Sequence, residues 1–432
     1  MLNKLRGIFI SGLFVCLGVT SFAQNNNTSS PFSLYGLGEL HSYSTGRFAA
    51  MGGASLGSRH HIQVNSSNPA SYTAIDSMSF NFEFGADGRF SEYKSATSKY
   101  STNDVNFRYF SWGFPITRWA AAAMGIQPYA DKGYEIYVQE DNASLGRIGH
   151  SYVGSGTISK AYFGAGFKIG KSLSIGTNIF YLFGTQNQNN SIYFLDDAQE
   201  YGYNEVERLR IRDFGYMLGF QYDLQLKNDD FLTIGATFEQ KSNFTAFHYL
   251  NQEKVLQYGG SALTDSIYTT TNTKGSIQLP TNIGLGLSYA KLNKLEVNLD
   301  YYYSKWSAVN YDSPLSFFQT SFNKLTDRSR ISLGVEYIPE NASIRSYLSR
   351  IEYRAGVHLE KSYLKINNQQ LNESGISFGI GLPVVRSRST INLGVEFGRR
   401  GSIKQNLIRE NYTKISLSLN LFDRWFIQRK YD

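Results

Sequence analysis

The sequence predicts an all-β fold, a transmembrane antiparallel β-barrel of about 14 strands with an N-terminal hatch inside its lumen. Three observations predict it. Apolar and polar residues alternate with period two from residue 78 onward, and many of the alternating segments run to a dozen residues or more. The links between these segments are alternately short and long, which is typical of bacterial outer-membrane barrels.

The chain begins with a secretory signal peptide. Lys4 and Arg6 form a basic region, residues 7–19 are apolar, and Ser21-Phe22-Ala23 is a small-x-small cleavage site. The apolar run is short for a membrane-spanning helix, although an uncleaved N-terminal anchor is the alternative. The predicted organisation is therefore a signal peptide at 1–23, a hatch at 24–77 and a barrel at 78–432.

The composition excludes several classes of protein. The only cysteine, Cys16, lies in the signal peptide, so the mature chain is held together without disulfides. The formal charge of +7 falls to +5 without the two basic residues of the signal peptide, and the basic residues form no cluster, so we expect no nucleic-acid partner. The mean hydropathy of −0.32 excludes helical membrane spans but permits a barrel, whose strands need only alternate apolar residues.

Strands near the C-terminus show the alternation most clearly. In one segment Ser416 and Ser418 lie between Ile415, Leu417 and Leu419. The apolar side of such a strand faces lipid and the polar side faces the lumen. We therefore expect an arginine at position 417 to be costly and an arginine at position 418 to cost much less.

The same pattern recurs along the chain in about fourteen segments, longer than the roughly 5–6 residues of strands in soluble proteins. They lie near residues 78–93, 103–115, 117–130, 149–169, 171–186, 204–226, 230–248, 276–290, 294–307, 325–337, 348–361, 370–382, 388–400 and 410–421.

Loop lengths give the orientation. Links at 170–171, 227–230 and 291–294 are short, whereas the polar links at 187–203, 249–275 and 308–324 are long. An up-and-down barrel places the short links in the periplasm and the long ones outside the cell, and an even strand count leaves both ends of the barrel in the periplasm. The alternative is a soluble β-sandwich or propeller, but a sandwich has a turn every 8–12 residues and a propeller has blade-length repeats.

The lumen of such a barrel is wide enough to leak unless something fills it, since fourteen strands enclose more room than the eight whose side chains fill the interior. The alternation predicts that charged residues of both signs line it. These are Glu296, Asp300, Glu336, Glu352, Arg354, His358, Glu360 and Glu396.

The stretch from Asn65 to Asp76, NSSNPASYTAID, stands directly before the first strand and has no strand pattern of its own. Pro69 cannot donate a backbone hydrogen bond and biases Asn68 away from helix, while the Asn68 side chain can bond its neighbouring backbone and fix a turn. These features favour a compact plug in the lumen over a disordered periplasmic leader.

The small-residue run that contains Gly52 and Gly53, followed by Asn68, Pro69 and Ala70, resembles the hatch of the FadL family. This family comprises the long-chain fatty-acid outer-membrane transporters and their relatives. In the family an AxGGA…NPA pattern precedes the first strand of a fourteen-stranded barrel. The five residues are accordingly predicted as the hatch motif.

The resemblance implies passive uptake of hydrophobic, fatty-acid-like small molecules in the outer membrane of a Gram-negative bacterium. A ligand would enter among the external loops, bind in the lumen against the hatch and leave sideways through a gap in the wall. The predicted partners are outer-membrane lipid, lipopolysaccharide and the hydrophobic ligand. Some relatives instead act as subunits of larger machines, such as the type IX secretion shuttle, so a non-transporting subunit of a secretion or assembly complex is the alternative.

No residue is assigned to catalysis, to a cofactor or to a metal, and the ligand-binding residues stay unknown. The segment GAGFKIGKS resembles a phosphate-binding loop, but Ala165 stands where its first glycine is needed and the segment spans a hairpin turn. His60 and His61 are adjacent, and adjacent side chains point in different directions in most backbone conformations, so metal binding is not predicted there. We expect no enzyme activity.

Overall fold

The computed structural model describes residues 27–42, 45–196, 201–227, 229–258, 261–310, 325–385, 387–403 and 407–424. The predicted signal peptide, residues 311–324 of the predicted link at 308–324, and the end of the chain after residue 424 lie outside these ranges. Within them, no helix has the length and apolar character that crossing a membrane requires.

The described residues form seventeen β-strands. In chain order, β1 to β17 are Glu39–Leu40, Ser79–Lys94, Lys99–Pro115, Ala120–Asn142, Gly146–Ile169, Leu173–Phe194, Gly202–Lys227, Asp230–Glu239, Ser242–Tyr258, Ser261–Leu279, Asn282–Lys291, Leu295–Ser304, Arg328–Tyr337, Glu352–Ile366, Gln369–Pro383, Thr390–Gly401 and Arg409–Arg424. Short 3-10 helices lie at Pro31–Leu34, Gly46–Met51, Pro69–Ala74, Trp306–Ala308 and Leu348–Arg350.

Fourteen of these strands close into one antiparallel barrel. They are β2 to β8 and β11 to β17, each hydrogen-bonded to its neighbour, and β17 pairs with β2 to complete the circle. Closure pairs nearly all of the strand edges in the hydrocarbon, where every backbone N–H and C=O must be paired within the protein; the exception, between β3 and β4, is described below. The predicted fold class and strand number are confirmed.

The two faces of the wall differ as the alternation predicts. On β17, Leu417 is 50% exposed on the outside, whereas Ser418 is 5% exposed inside the lumen. The eight charged residues that were predicted to line the lumen all lie on its inner side, and Arg354, His358 and Asp300 are among the buried ones. The outer face is therefore the apolar, lipid-facing one.

One side of the barrel is much taller than the other. Strands β4, β5, β6 and β7 have 23, 24, 22 and 26 residues, whereas β12 and β13 have 10 each. At about 3.3 Å per residue and about 40° of tilt, β4 spans about 58 Å along the membrane normal and β12 about 25 Å. The hydrocarbon needs only about 25 Å, so the tall side stands well above the membrane.

Two predicted loops are wrong for this reason. The segment 249–275 is mostly the β9–β10 hairpin, and β6 and β7 continue into the segment 187–203, leaving a short link between them. Above the membrane neither face needs to be apolar, so the sequence of these strands loses the period-two pattern. We call β9, β10 and the upper parts of β4 to β7 the tall sheet.

Residues 27–77, which we call the N-terminal segment, contain β1 and the first three 3-10 helices. The helix Pro69–Ala74 packs against β4 to β7, and the helix Gly46–Met51 packs against β13 to β17. The segment therefore lies inside the lumen and reaches opposite walls.

Leu417→Arg tests the assignment of the faces. It is expected to lower the free energy of unfolding by about 2–4 kcal/mol, because Leu417 lies midway between the polar ends of β17. Thr413→Arg, on the same outer face near the membrane boundary, is expected to cost about 0–1 kcal/mol. Denaturant unfolding of the folded barrel in lipid vesicles measures both.

Ser418 is packed more tightly than the sequence suggested, so it is a poor control for this test. It is buried and its hydroxyl accepts a hydrogen bond from Asn392 Nδ2 at 3.1 Å. An arginine there would have to displace lumen side chains, so Thr413 is the proper control. Equal losses of unfolding free energy in Leu417→Arg and Thr413→Arg would contradict the lipid-facing assignment.

Candidate functional site

Asn68, Pro69 and Ala70 form a capped turn against the wall. The Asn68 side chain is fully buried, accepts a hydrogen bond from Ala70 N at 3.1 Å, and donates to the carbonyl oxygens of Leu56 at 2.9 Å and Phe220 at 3.1 Å. Pro69 takes the first helical position, where a missing N–H leaves no partner unsatisfied. The turn thus joins two parts of the N-terminal segment to each other and to β7.

Gly52 and Gly53 form a second attachment point on the opposite wall. Their φ angles of 64° and 86° lie in the left-handed region that glycine adopts without strain. Gly52 N donates to Ser377 Oγ at 2.9 Å, and its carbonyl accepts from the Arg330 guanidinium at 3.0 Å. The five residues of the predicted hatch motif therefore do not form one site; they fix the segment at two distant places.

The wall contacts the N-terminal segment through glycines, whose backbone has no side chain in the way. At each of nine wall glycines, a Cβ atom would come within 2.1 to 2.7 Å of an atom of the segment, which is closer than real Cβ contacts. We call this ring the glycine belt. Its members lie on nine strands: Gly113, Gly166, Gly176, Gly219, Gly235, Gly286, Gly334, Gly356 and Gly379.

Arg47 holds the segment electrostatically. Its side chain is fully buried, with Nη2 2.5 Å from Glu296 Oε2 and 2.9 Å from Glu336 Oε1. Glu336 also accepts from Arg354 Nε at 2.6 Å, so the pairs form a chain across the lumen. Buried charges are tolerated when they are paired in this way, and removing one partner leaves the others uncompensated.

Glu39, on β1, is the centre of a second buried network. It accepts from Arg89 on β2 and, at 2.8 Å, from Arg400 on β16. Arg89 and Arg400 in turn contact Glu410 on β17 and Glu373 on β15. A single carboxylate of the N-terminal segment is thereby tied to four wall strands.

Among the described strands, the wall has one gap. β3 and β4 pair only from Phe110 and Ile126 down to Pro115 and Ala121, so the extracellular half of β3 has no partner on β4. The β4 strand continues as far as Asn142, and its only partner there among the described wall strands is β5. The gap therefore opens sideways between β3 and the tall sheet.

The N-terminal segment covers this gap from inside. β1 pairs with Ala130 and Asp131 on the free edge of β4. Ser29 donates from its N and Oγ to the Asp104 carboxylate on β3, at 3.1 and 2.7 Å, and Asn27 Nδ2 donates to Thr157 Oγ1 at 2.6 Å. These contacts on both sides of the gap close it with polar groups.

Charged groups line the inner rim of the gap. Arg108 Nε donates to Asp87 at 2.6 Å, and His41 Nε2 lies 2.6 Å from Asp131 Oδ2. Together with Asp104 they surround the place where a molecule would leave the lumen sideways. An apolar molecule would have to displace these groups from their partners, which is costly at a buried site.

Above the charged layer the lumen is apolar but full. Side chains of the wall and the N-terminal segment, including Phe32, Tyr129, Phe244 and Trp306, pack into one hydrophobic cluster. A cavity lined by Leu40, Tyr129, Tyr302 and Trp306 has a volume of about 50 Å³, and two further interior cavities have volumes of about 70 Å³ each. All three are smaller than the roughly 150 Å³ apolar cavity known to hold benzene.

His358, Glu373 and Glu396 lie together in the lumen, with possible ligand atoms within 4.8 Å of one another. The Tyr412 hydroxyl lies 2.6 Å from Glu373 and 2.8 Å from Glu396, and the Arg400 guanidinium is 2.6 Å from Glu373. A cation there would meet the charge of Arg400. We therefore interpret the group as part of the ion-pair network. His60 and His61 stack at 5.0 Å, and the structure puts them in no such group among the residues it describes.

Comparison with known proteins places the chain in a family. The sequence profile of the BamG family matches residues 1–432. The chain belongs to the BamG family. No curated protein matches it in sequence.

Several solved outer-membrane barrels share the fold of this chain. The Ralstonia pickettii toluene transporter TbuX is 15% identical with a TM-score of 0.57, covering 89% of this chain and 99% of its own. The P. putida toluene transporter TodX is 15% identical with a TM-score of 0.57, covering 90% of this chain and 100% of its own. A Pseudomonas aeruginosa FadL homologue is 9% identical with a TM-score of 0.53, covering 89% of this chain and 99% of its own. The chain thus has the FadL-like outer-membrane barrel fold, and these neighbours are named as transporters or as a FadL homologue rather than as enzymes.

Sequence reasoning did not find Arg47, Glu39 or Arg400. Arg47 and Glu296 are 249 positions apart, and nothing in the sequence joins them. The glycine belt could have been predicted from the sequence. Most of its members lie at inward-facing strand positions where the other residues are polar or charged.

Arg47→Ala is expected to lower the free energy of unfolding by about 3–5 kcal/mol, because it leaves Glu296 and Glu336 buried without their partner. Arg388→Ala is the matched control. Arg388 also pairs with the N-terminal segment, at Asp76, but both side chains are more than a third exposed, so the expected cost is below about 1 kcal/mol. Denaturant unfolding measures both variants, and equal costs would show that the Arg47 cluster does not hold the segment.

Gly356→Ala is expected to loosen the N-terminal segment. The new Cβ would lie 2.1 Å from Gly52 N and 2.2 Å from Met51 C, both backbone atoms that cannot turn aside. We expect a cost of about 1–3 kcal/mol and faster protease cleavage of the segment. Gly88→Ala, where the nearest atom is 3.7 Å away, is expected to leave the cleavage rate unchanged. Unchanged cleavage in Gly356→Ala would contradict the close fit.

Proposed function

We propose that this protein is a closed, hatch-plugged barrel that serves as a non-transporting subunit of an outer-membrane secretion or assembly complex in a Gram-negative bacterium. The closed lumen carries the proposal. The N-terminal segment, acting as the hatch, lies on the glycine belt and is held by the buried ion pairs of Arg47 and Glu39. A plug fitted to bare backbone moves only by disrupting the packing around it.

The tall sheet supports a role in contacts with other proteins. Its outermost strand, β10, pairs in register with β9 alone among the described strands, and free strand edges are sites where other chains add. Leu263, Ile267 and Tyr268 on β10 are each more than half exposed, far above the lipid. Apolar side chains on an edge strand outside the membrane favour a protein partner over water.

Uptake of hydrophobic, fatty-acid-like small molecules is the second candidate. Two observations favour it: the gap between β3 and β4, which would serve as a lateral exit, and the apolar cluster above it. The names of TbuX and TodX, both toluene transporters, agree with a small apolar cargo in proteins of this fold. This function requires β1 to leave the β4 edge and the charged rim to open.

One engineered disulfide separates the two candidates. Leu40 and Ala130 are opposite each other in the β1–β4 pair, next to the hydrogen bond from His41 N to Tyr129 O. Such neighbouring positions bring Cα atoms close enough for a disulfide, and the mature chain has no other cysteine. Leu40→Cys with Ala130→Cys therefore locks the gap in oxidising conditions.

We expect the locked barrel to support normal growth and to co-purify with its partner proteins in mild detergent at the wild-type ratio. Changing Leu263, Ile267 and Tyr268 together to serine is expected to reduce that ratio several-fold. The matched control changes three apolar residues at the periplasmic end, Ile116, Leu226 and Leu292, to serine.

The opposite results favour transport. If the oxidised lock abolishes accumulation of a radiolabelled fatty acid or toluene and reduction restores it, the gap is an exit and the second candidate is correct. If the wild-type protein purifies from its own membrane only as a monomer, the subunit proposal is wrong.

A further inference from the structure

We propose that the outer face of β13 to β16 binds the phosphorylated headgroup of an outer-leaflet lipid, with Lys361 and Arg399 as its cationic ligands. The inference goes beyond the subunit function and rests only on the outer-membrane location. It concerns the short side of the barrel, away from the tall sheet and from the gap.

The height of the two cations is set by their strands. On β14 the outward-facing positions run from Tyr353 through Val357 and Leu359 to Lys361, so that Lys361 directly follows the last lipid-facing residue. At about 3.3 Å per residue and about 40° of tilt, Lys361 lies about 20 Å above Tyr353. This is close to the height of the apolar band, about 25 Å. Lys361 is therefore at the level of the lipid headgroups.

Arg399 reaches the same level on β16. It follows Phe397, a lipid-facing side chain that is 54% exposed. β15 lies between the two cations: Lys361 is opposite Asn372, and Arg399 is opposite Ser374, two positions along the same strand. With strands about 4.8 Å apart, the two backbones are roughly 12 Å from each other, and both long side chains can reach one phosphate group.

Both cations are available. Within the part of the chain that the structure describes, neither Lys361 nor Arg399 has an ion pair, and both are exposed. The residues beside them behave differently, because Glu360 and Arg400 point inward and are paired in the lumen. Two unpaired cations over an apolar surface attract an anion whose own apolar part covers that surface.

The surface between them is concave. A groove of about 480 Å³ is lined by Ser329, Lys361, Asn372, Ser374 and Arg399, with Ile331 and Leu359 at its lower side. Glu360 and Glu373 also line the groove, and their carboxylates pair with arginines inside the lumen. A neighbouring groove of about 620 Å³ continues the band across β16, β17, β2 and β3. Its lining includes Asn103, Asn411 and Thr413, beside Phe90 and Phe397.

Hydroxyl and amide groups above a lipid-facing stripe suit the sugars of a phosphorylated glycolipid. A soluble anion would gain only the two cations, whereas a lipid gains the apolar stripe as well. The combination of phosphate, sugar and acyl chain therefore identifies the ligand as a lipid of the lipopolysaccharide class.

The test uses the full mature chain in detergent and native mass spectrometry with diphosphorylated lipid A as the probe. Lys361→Gln with Arg399→Gln is expected to weaken lipid A binding at least about tenfold, since each cation near a membrane surface contributes to anionic lipid binding. The matched control is Lys168→Gln with Lys171→Gln, which removes two exposed cations at the periplasmic end. It is expected to change binding less than about twofold.

A charge-preserving pair keeps the test decisive. Lys361→Arg with Arg399→Lys is expected to bind lipid A as the wild type does, which separates lost charge from lost folding. Phosphatidylethanolamine is expected to bind the wild type and the double glutamine variant equally. Unchanged lipid A binding in the glutamine variant would overturn the proposal, and so would inorganic phosphate competing as strongly as lipid A.

Discussion

In hydrocarbon, no backbone hydrogen-bonding group can be left unpaired, and the rest of this structure follows from that constraint. The strands must close on themselves, and fourteen of them close around a space too wide for their own side chains to fill. A second part of the chain must then occupy the interior. The N-terminal segment does so, and its backbone, which forms little regular structure, is hydrogen-bonded by the wall side chains instead.

The way in which the interior is filled explains its composition. A segment without strands presents many N–H and C=O groups, and the wall matches them either with glycines, where backbone approaches backbone, or with charged and polar side chains. Charges that are buried this deeply are stable only as pairs, which is why Arg47 and Glu39 each contact more than one partner. The polar lumen is therefore a packed core, and its many ionisable groups do not by themselves indicate chemistry.

The sequence predicted the features that depend on residues close together in the chain. Period two gave the strand number and the two faces, and Asn68 with Pro69 indicated a turn without a strand partner, as the structure shows. It did not predict the strands in 249–275, because strands above the membrane need no apolar face. It also did not predict the partners of Arg47, since those contacts depend on which wall positions the segment meets. Phe317, Phe318 and Phe322, apolar residues of the predicted external link at 308–324, lie outside the described residues.

The gap, the contacts that close it and the tall sheet all originate at one place in the wall. β4 stops following β3 just before Pro128, a residue that cannot donate a ladder hydrogen bond, and continues upward with β5 alone. The edge that this leaves is paired by β1 near the membrane and rises free above it. The same departure that creates a lateral exit in principle thus supplies the edge of an extracellular sheet. The N-terminal segment closes the lower part of the gap with charged groups, and the β4 edge above it has no strand partner among the described residues.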